Sequence, residues 1–293
     1  MFVKVLNEAP IQQASLVFTK NLVRCLMNQL AVQDRYLHRM ATKSVKSIQS
    51  RVSKEPEFAA AAVSGLTGPA GSINFDQVTK TKTLEKIVVE ADTNALGTIV
   101  SLFERLIKNP GTADAKVAAS SRHILTGLLV AIVRARAPAP IQDDSAESVQ
   151  AILEKILVIF LRFAYFTNEG VGNEPATEPA LSESARELFR SRINSCLNTL
   201  IANQRYAAAV PYAVVHKIHD AEKSGEFGKC IVGMDGAVRA SVKTAFKSLK
   251  KLSKKVSATV YTFSRIGHTN HSTLSRGRRI AHPVSPLSSF STP

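Results

Sequence analysis

One period dominates this chain. Apolar residues recur every three or four positions, segment after segment, and no stretch sustains the apolar-polar alternation of a half-buried strand. Hairpin-type dipeptides such as Asp235-Gly236 are not flanked by alternating apolar and polar runs. A sequence patterned in this way must bury one stripe of each helix against another helix, so the fold class is all-α.

The stripes mark the elements. Leu16, Val17, Leu22, Val23, Leu26, Met27 and Leu30 line one face of a first helix. Leu37, Met40, Ala41, Val45, Ile48 and Val52 line a second, which ends near Pro56, with Asp34 as the cap of its start. An Ala-rich short helix covers Phe58 to Leu66, and Gly65, Gly68, Pro69 and Gly71 read as the loop after it. Thr83 to Glu90 is helical. Asp92 caps a helix running to Lys108, where Asn109-Pro110-Gly111 stops it. Ala115 to Arg136 follows, with basic residues at its C-terminal end as the helix dipole favours. Ser145 to Phe166 is the most apolar helix. Its residues Ile156 to Leu161 are apolar all round, which predicts a central position. Asn168 to Ala180 reads as an exposed loop. Ser184 and Glu187 form a capping-box pattern at the start of a helix to about Ala202. Ala209 to Lys223 and Val238 to Lys255 complete the set of helices.

Successive amphipathic helices without strands predict a bundle or a stack of helix pairs, and degenerate HEAT- or armadillo-like repeats forming an α-solenoid fit the pattern. The helical-repeat region is expected over residues 1–255. From Val256 the chain turns rich in Ser, Thr and Pro, holds no acid, and has few apolar residues to bury, so residues 256–293 are expected to be a disordered basic tail.

Charge is distributed unevenly. The formal net charge is +15, from 38 Lys and Arg against 23 Asp and Glu. Asp235 is the last acid. Eleven of the cations and none of the anions lie beyond it, leaving 27 against 23 in the first 235 residues. A near-balanced body with a strongly basic end points to a polyanionic partner, nucleic acid first and an acidic protein second. Three scattered cysteines, Cys25, Cys196 and Cys230, are too few for a disulfide framework or a zinc knuckle and point to a reducing compartment. The N-terminal MFVKVLNEAP lacks the apolar core of a secretory signal. The run Ile156 to Phe166 is too short to span a bilayer, so membrane insertion is not expected.

Few residues are marked for catalysis. His216 and His219 share a helical face, but no cysteine accompanies them as a zinc motif requires. Gly225-Glu226-Phe227-Gly228-Lys229-Cys230 fails as a phosphate loop, because the glycines are too close and no Ser or Thr follows the lysine. Asp143 and Asp144 are adjacent carboxylates, and their place before a helix start is explained by capping. No metal site and no cofactor are expected, and a catalytic motif is not visible.

Binding is better supported. In Val238 to Val256 an apolar stripe (Val238, Val242, Ala245, Phe246, Leu249, Leu252, Val256) lies opposite Lys243, Lys247, Lys250, Lys251, Lys254 and Lys255. Such a helix packs by one face and offers ammonium groups on the other, suited to phosphates without base readout. A membrane surface or a calmodulin-like groove would accept the same pattern. Arg276, Arg278 and Arg279 extend the basic end and also fit part of a nuclear import signal. Lys80 and Lys82 form a smaller basic spot near Asn74-Phe75-Asp76. Few aromatics accompany either patch, so stacking on single-strand bases is not indicated.

Three stretches carry a resemblance. They are residues 16–26 with Asp34-Arg35-Tyr36-Leu37-His38-Arg39, then Asn74-Phe75-Asp76 with Thr79-Lys80-Thr81-Lys82-Thr83, and then residues 187–197. In order, through most of residues 1–255, they resemble the fungal DNA polymerase V (polymerase phi) and Myb-binding protein 1A family. The resemblance implies a nucleolar, all-helical, HEAT-like protein tied to ribosomal DNA transcription and ribosome biogenesis. It also implies nuclear protein partners and a chain that is a fragment of a longer one, with residues 256–293 departing from the family. The family name implies a DNA polymerase, for which the residues supply no convergent acidic site. Three readings follow. The first is a non-enzymatic scaffold that binds ribosomal DNA or RNA through the Lys-rich helix and proteins through its helical faces. The second is a protein–protein adaptor without nucleic-acid contact, acting as a transcription co-regulator, and the third is a polymerase. No small-molecule ligand is expected in the first two.

Overall fold

The computed structural model describes residues 2–32, 36–69, 71–138, 146–167, 177–203, 206–207 and 209–231, and beyond these Thr244, Lys247, Ser248, Lys250 and Lys251. Among them every regular element is helical, and the only strand-like pairing is a single antiparallel bridge between Phe166 and Cys230. Twelve α-helices are delimited among the described residues, in the order α1 (Phe2–Glu8), α2 (Ile11–Ala14), α3 (Lys20–Ala31), α4 (Leu37–Lys54), α5 (Ala59–Thr67), α6 (Phe75–Thr79), α7 (Thr83–Glu90), α8 (Thr93–Lys108), α9 (Ala115–Arg136), α10 (Ala146–Tyr165), α11 (Glu183–Ile201) and α12 (Ala209–Ser224). The chain divides into two units, Met1–Phe246 and Lys247–Pro293. The helices named above all belong to the first. The domain boundary expected at residue 255, the disordered tail, Asp34, Asp143 and Asp144 lie outside the described residues.

Local chemistry sets most of the helix ends. Asp92 accepts a hydrogen bond from the Ala95 N–H at 2.8 Å and starts α8, and Asp114 accepts from Lys116 and Val117 to start α9. The first helix differs from the sequence reading. Leu16 and Val17 form a single 3-10 turn (Ser15–Val17), and Thr19 caps α3 by accepting from the Leu22 N–H. A hydroxyl that satisfies an orphan N–H restarts the chain within what had looked like one continuous stripe. α11 also starts two residues earlier than the capping box implies. Ser182, not Ser184, is the cap, accepting from the Ala185 N–H at 3.2 Å. Gly65 lies inside α5 rather than in the following loop. The Phe18 ring packs so closely there that a Cβ would meet it at 2.4 Å.

From α7 onward each helix packs on the helix two places ahead: α7 on α9, α9 on α11, α8 on α10, α10 on α12. Odd- and even-numbered helices therefore form two layers, and α10 and α11 make the most extensive consecutive pair. In the N-terminal part α4 packs on α1, α3 and α7, and α5 on α7 and α8. α10 is central, as the all-round apolar run Ile156 to Leu161 requires. Ile156, Leu157, Val158, Ile159 and Phe160 are all buried in succession, and Phe163 stacks on Phe189 of α11 with ring centroids 5.4 Å apart. α9 has the length and apolar content of a bilayer-crossing helix, and here it is packed against α7, α8 and α11.

Arginine ties these layers together at their ends. A helix leaves its last carbonyls without partners and carries partial negative charge there. Four such ends receive a guanidinium from another helix. Arg51 of α4 donates to Leu6 O at 2.7 Å and Ala9 O at 2.9 Å, at the end of α1, and pairs with Glu55. Arg122 of α9 donates to Ile107 O at 3.0 Å, in the last turn of α8, and to Pro179 O at 2.7 Å. Arg136 of α9 donates to Val89 O and Ala91 O at the end of α7. Arg186 of α11 donates to Phe163 O and Phe166 O at the end of α10. Burial pushes the Arg122, Arg136 and Arg186 guanidinium groups down from their ordinary value; arginine stays charged in proteins.

Candidate nucleic-acid interface

The strongest feature of the sequence, the Lys-rich C-terminal helix, is described only in part. Lys247, Lys250 and Lys251 are helical and exposed. Their spacing of three and four places all three lysines on one helical side, while the apolar stripe expected opposite them lies outside the described residues. Lys243, Lys254, Lys255, Arg276, Arg278 and Arg279 lie outside the described residues.

The smaller spot is well defined, and most of its motif proves architectural. Asp76 reaches forward over the start of α7. Its carboxylate accepts from the N–H groups of Thr83 (2.8 Å), Leu84 (3.0 Å) and Glu85 (3.3 Å) and from the Thr81 hydroxyl (3.2 Å). A remote carboxylate thus does what an adjacent N-cap usually does. Burial pushes the Asp76 carboxyl up from its ordinary value, against the opposing pull of those N–H donors. Thr79, Thr81 and Thr83 form a hydroxyl chain with oxygens 2.8 and 3.0 Å apart. Lys80 ends α6 in a left-handed conformation (φ 54°). The turn leaves Lys80 and Lys82 exposed, with Lys82 3.6 Å from Glu85. Such an exposed pair contributes about 0–1 kcal/mol.

Other marked residues are also accounted for by structure. The Gly225–Cys230 segment is a clasp that returns the chain from α12 to the end of α10. Gly225 and Gly228 adopt positive φ, Lys229 O accepts from the Thr167 N–H, the Ile231 N–H donates to Tyr165 O, and Phe227 packs edge-on against Phe166. His216 faces Asp220 across 2.9 Å on one helical side. Cys196 is buried, and that burial pushes its thiol up to about 12. Among the described residues no group of three or more His, Cys, Asp or Glu is placed to hold a metal.

Sequence reasoning passed over one cationic surface. On α4, Ala41, Val45, Ile48 and Val52 are buried. Two positions before each stand Arg39, Lys43, Lys46 and Ser50, all exposed, and Lys54 continues their row. Two residues turn an α-helix by about 200°, so this row points directly away from the core. α4 carries five cations and no acid. Its start is held by the His38 ring, whose Nδ1 lies 3.2 Å from Gln29 O of α3. The residues Tyr36, His38, Arg39, Met40, Lys43 and Lys46 share one surface groove. The spacing 39-43-46 and the missing acids are legible in the sequence, but the larger charge of the C-terminal end overshadows them.

Comparison with known proteins places these features. The chain is similar to the rDNA transcriptional regulator pol5 of Schizosaccharomyces pombe, 28% identical over 253 residues, covering 82% of this chain and 25% of that protein. It is also similar to the rDNA transcriptional regulator POL5 of Saccharomyces cerevisiae, 23% identical over 259 residues, covering 85% of this chain and 23% of that one. The chain thus spans about a quarter of the length of these curated relatives. No solved structure matches it. The family model for DNA polymerase phi matches residues 1–264, a span that includes all twelve helices, the Asp76 cap and the Lys-rich helix, and the chain belongs to that family.

Proposed function

We propose that this chain is part of a HEAT- or armadillo-like α-solenoid scaffold acting in ribosomal DNA transcription. It binds nucleic acid without base preference through the Lys243–Lys255 helix and proteins through its helical faces. The observation that carries the reading is family membership joined to relatives named as rDNA transcriptional regulators. The packing of each helix on the one two places ahead supports the solenoid, because stacked helix pairs place equivalent helices side by side in each layer. Exposure of Lys247, Lys250 and Lys251 supports the contact. The same names support action in the nucleus, and the nucleolus and ribosome biogenesis follow from the ribosomal DNA itself.

Lysines serve here as point charges for phosphates. Charge reversal of Lys247, Lys250, Lys251 and Lys254 is expected to weaken binding to a 20-bp DNA duplex. It should also flatten the dependence of log K on log salt by about 0.9 for each phosphate that the lysines cease to neutralise. An unchanged slope removes this helix as the contact. The family's description also names a polymerase. Metal-dependent nucleotide incorporation by the purified, folded chain would establish that activity in place of the scaffold.

A further inference from the structure

We infer that the outward row of α4, Arg39, Lys43, Lys46 and Lys54, is a second nucleic-acid contact, on the folded body and independent of the C-terminal lysines. It shares with the proposed function the premise that the chain meets nucleic acid, and it places that contact where neither the charge balance nor the relatives assign one.

The first argument is the lack of counter-charge. Several cations elsewhere on the body have carboxylates beside them, while others, Lys20, Arg24 and Lys86 among them, are exposed but not set in a row of this length. Arg190 pairs with Glu183 and Glu187, Lys82 with Glu85, and Arg162 with Glu104. Among the described residues no carboxylate pairs with Arg39, Lys43, Lys46 or Lys54. At the end of α4, Glu55 is paired with Arg51, and the Glu90 carboxylate accepts from the Ser53 hydroxyl at 2.5 Å. Between Glu8 and Glu55 the sequence holds a single acid, Asp34, which lies outside the described residues.

The second argument is shape. The cations are set in a row by the helix, not gathered in a cluster. From Arg39 to Lys54 the row is about 22 Å long at 1.5 Å per residue. Phosphates of one DNA strand advance about 3.4 Å along the axis, so the row spans on the order of six of them. The helix is held rigidly from behind by Ala41, Val45, Ile48 and Val52, so the charges are arranged before any partner arrives. An acidic protein segment would need an apolar track beside the charges to dock as an amphipathic helix. Exposed apolar side chains occur only at the start, at Tyr36, Leu37 and Met40. From Lys43 to Lys54 the outward positions are Lys and Ser alone. A polyanion with regularly spaced charges fits this face better than an acidic peptide does.

The test uses the full 293-residue chain in four forms: the parent, R39E/K43E/K46E, the C-terminal variant with Lys247, Lys250, Lys251 and Lys254 each changed to Glu, and both sets combined. Binding to a labelled 20-bp DNA duplex and to a 20-nucleotide single-stranded RNA is measured from 50 to 200 mM salt, with helicity and thermal midpoint as fold controls. R39Q/K43Q/K46Q is the milder variant should charge reversal disturb folding. The inference predicts that R39E/K43E/K46E weakens binding about tenfold or more and lowers the salt slope by about 0.9 for each phosphate left unneutralised. The same loss should appear when the C-terminal lysines are already reversed. A greater loss on the duplex than on RNA identifies double-stranded DNA as the partner, and the reverse identifies RNA. Affinity and slope equal to the parent overturn the inference, while loss confined to the C-terminal variant leaves the proposed function standing. Loss of binding to poly-glutamate with nucleic-acid binding intact also overturns it, in favour of an acidic protein. Loss confined to the α4 variant upholds the inference and removes the C-terminal helix instead.

Discussion

The helix ends inside the body and the outward face of α4 are both furnished with cations, to opposite ends. Arg51, Arg122, Arg136 and Arg186 each donate to carbonyls at the end of another helix. Arg39, Lys43 and Lys46 have no acidic partner among the described residues and stand in solvent. The guanidinium fork, rigid and weakly hydrated, satisfies several carbonyls at once. The ammonium groups of Lys43 and Lys46, on flexible stems, keep their water, as does the exposed guanidinium of Arg39. A net charge therefore joins two kinds of residue: one closes the fold, and the other stands in solvent.

The sharpest way to break this contrast is at the interior set. Arg122→Met removes donors from Ile107 O and Pro179 O and is expected to lower unfolding stability by about 2–3 kcal/mol, measured by denaturant titration. Arg122→Lys should recover only part of the loss, because an ammonium cannot reproduce the fork. A neutral outcome for both would place Arg122 with the solvent-facing cations.

Next in size is Asp76, the carboxylate that starts α7. Asp76→Ala should cost about 2 kcal/mol by leaving the Thr83, Leu84 and Glu85 N–H groups without their acceptor, and Asp76→Asn, which keeps one acceptor, should cost less. The pH dependence has a defined sign. Burial raises this carboxyl in the folded state, so the folded protein holds the proton more tightly than the unfolded chain. The stabilising contribution of that proton is complete below the ordinary value of 3.8 and is lost as pH rises through the folded value. The stability difference between parent and Asp76→Asn should accordingly move in favour of the parent as the solution is acidified. A shift the other way would mean that the N–H donors outweigh burial.

The smallest effect carries the opposite sign. Lys80 holds a left-handed backbone conformation that side chains other than glycine adopt at some cost. Lys80→Gly should raise the thermal midpoint, by about 1 kcal/mol of stability, while removing one exposed charge. A fall would show that the Lys80 side chain contributes more to the turn than its exposure indicates.

Helix type and most helix limits were legible because they rest on local chemistry. Thr83–Glu90 and Ala115–Arg136 match the stripe and the stop signals residue for residue, and α8 follows the Asp92 cap. The centrality of α10 followed from the run Ile156 to Leu161, which is apolar all round. What escaped was short or distant. α1, α2 and α6 have too few residues to display a period, and the Thr19 cap divides a stripe that is continuous by spacing. The arginine contacts join residues up to 57 apart in sequence, and nothing local distinguishes Arg122 from Arg134 on the same helix. The TKTKT segment read as a basic spot because its lysines are countable, whereas the role of Asp76 depends on the turn that brings it back over α7. The α4 row was readable by period alone, once the positions opposite a buried stripe are checked for acids as well as for cations.

The most direct test of the division of labour between these cations is the salt slope of duplex binding, compared across two variants of equal charge change. The account predicts that neutralising one outward cation, Lys43→Gln, lowers the slope by about 0.9 and leaves stability within about 0.5 kcal/mol of the parent. Neutralising one interior cation, Arg122→Met, should lower stability and leave the slope of the folded protein unchanged. Equal slope changes in the two variants would mean that binding follows net charge alone, and would contradict the account.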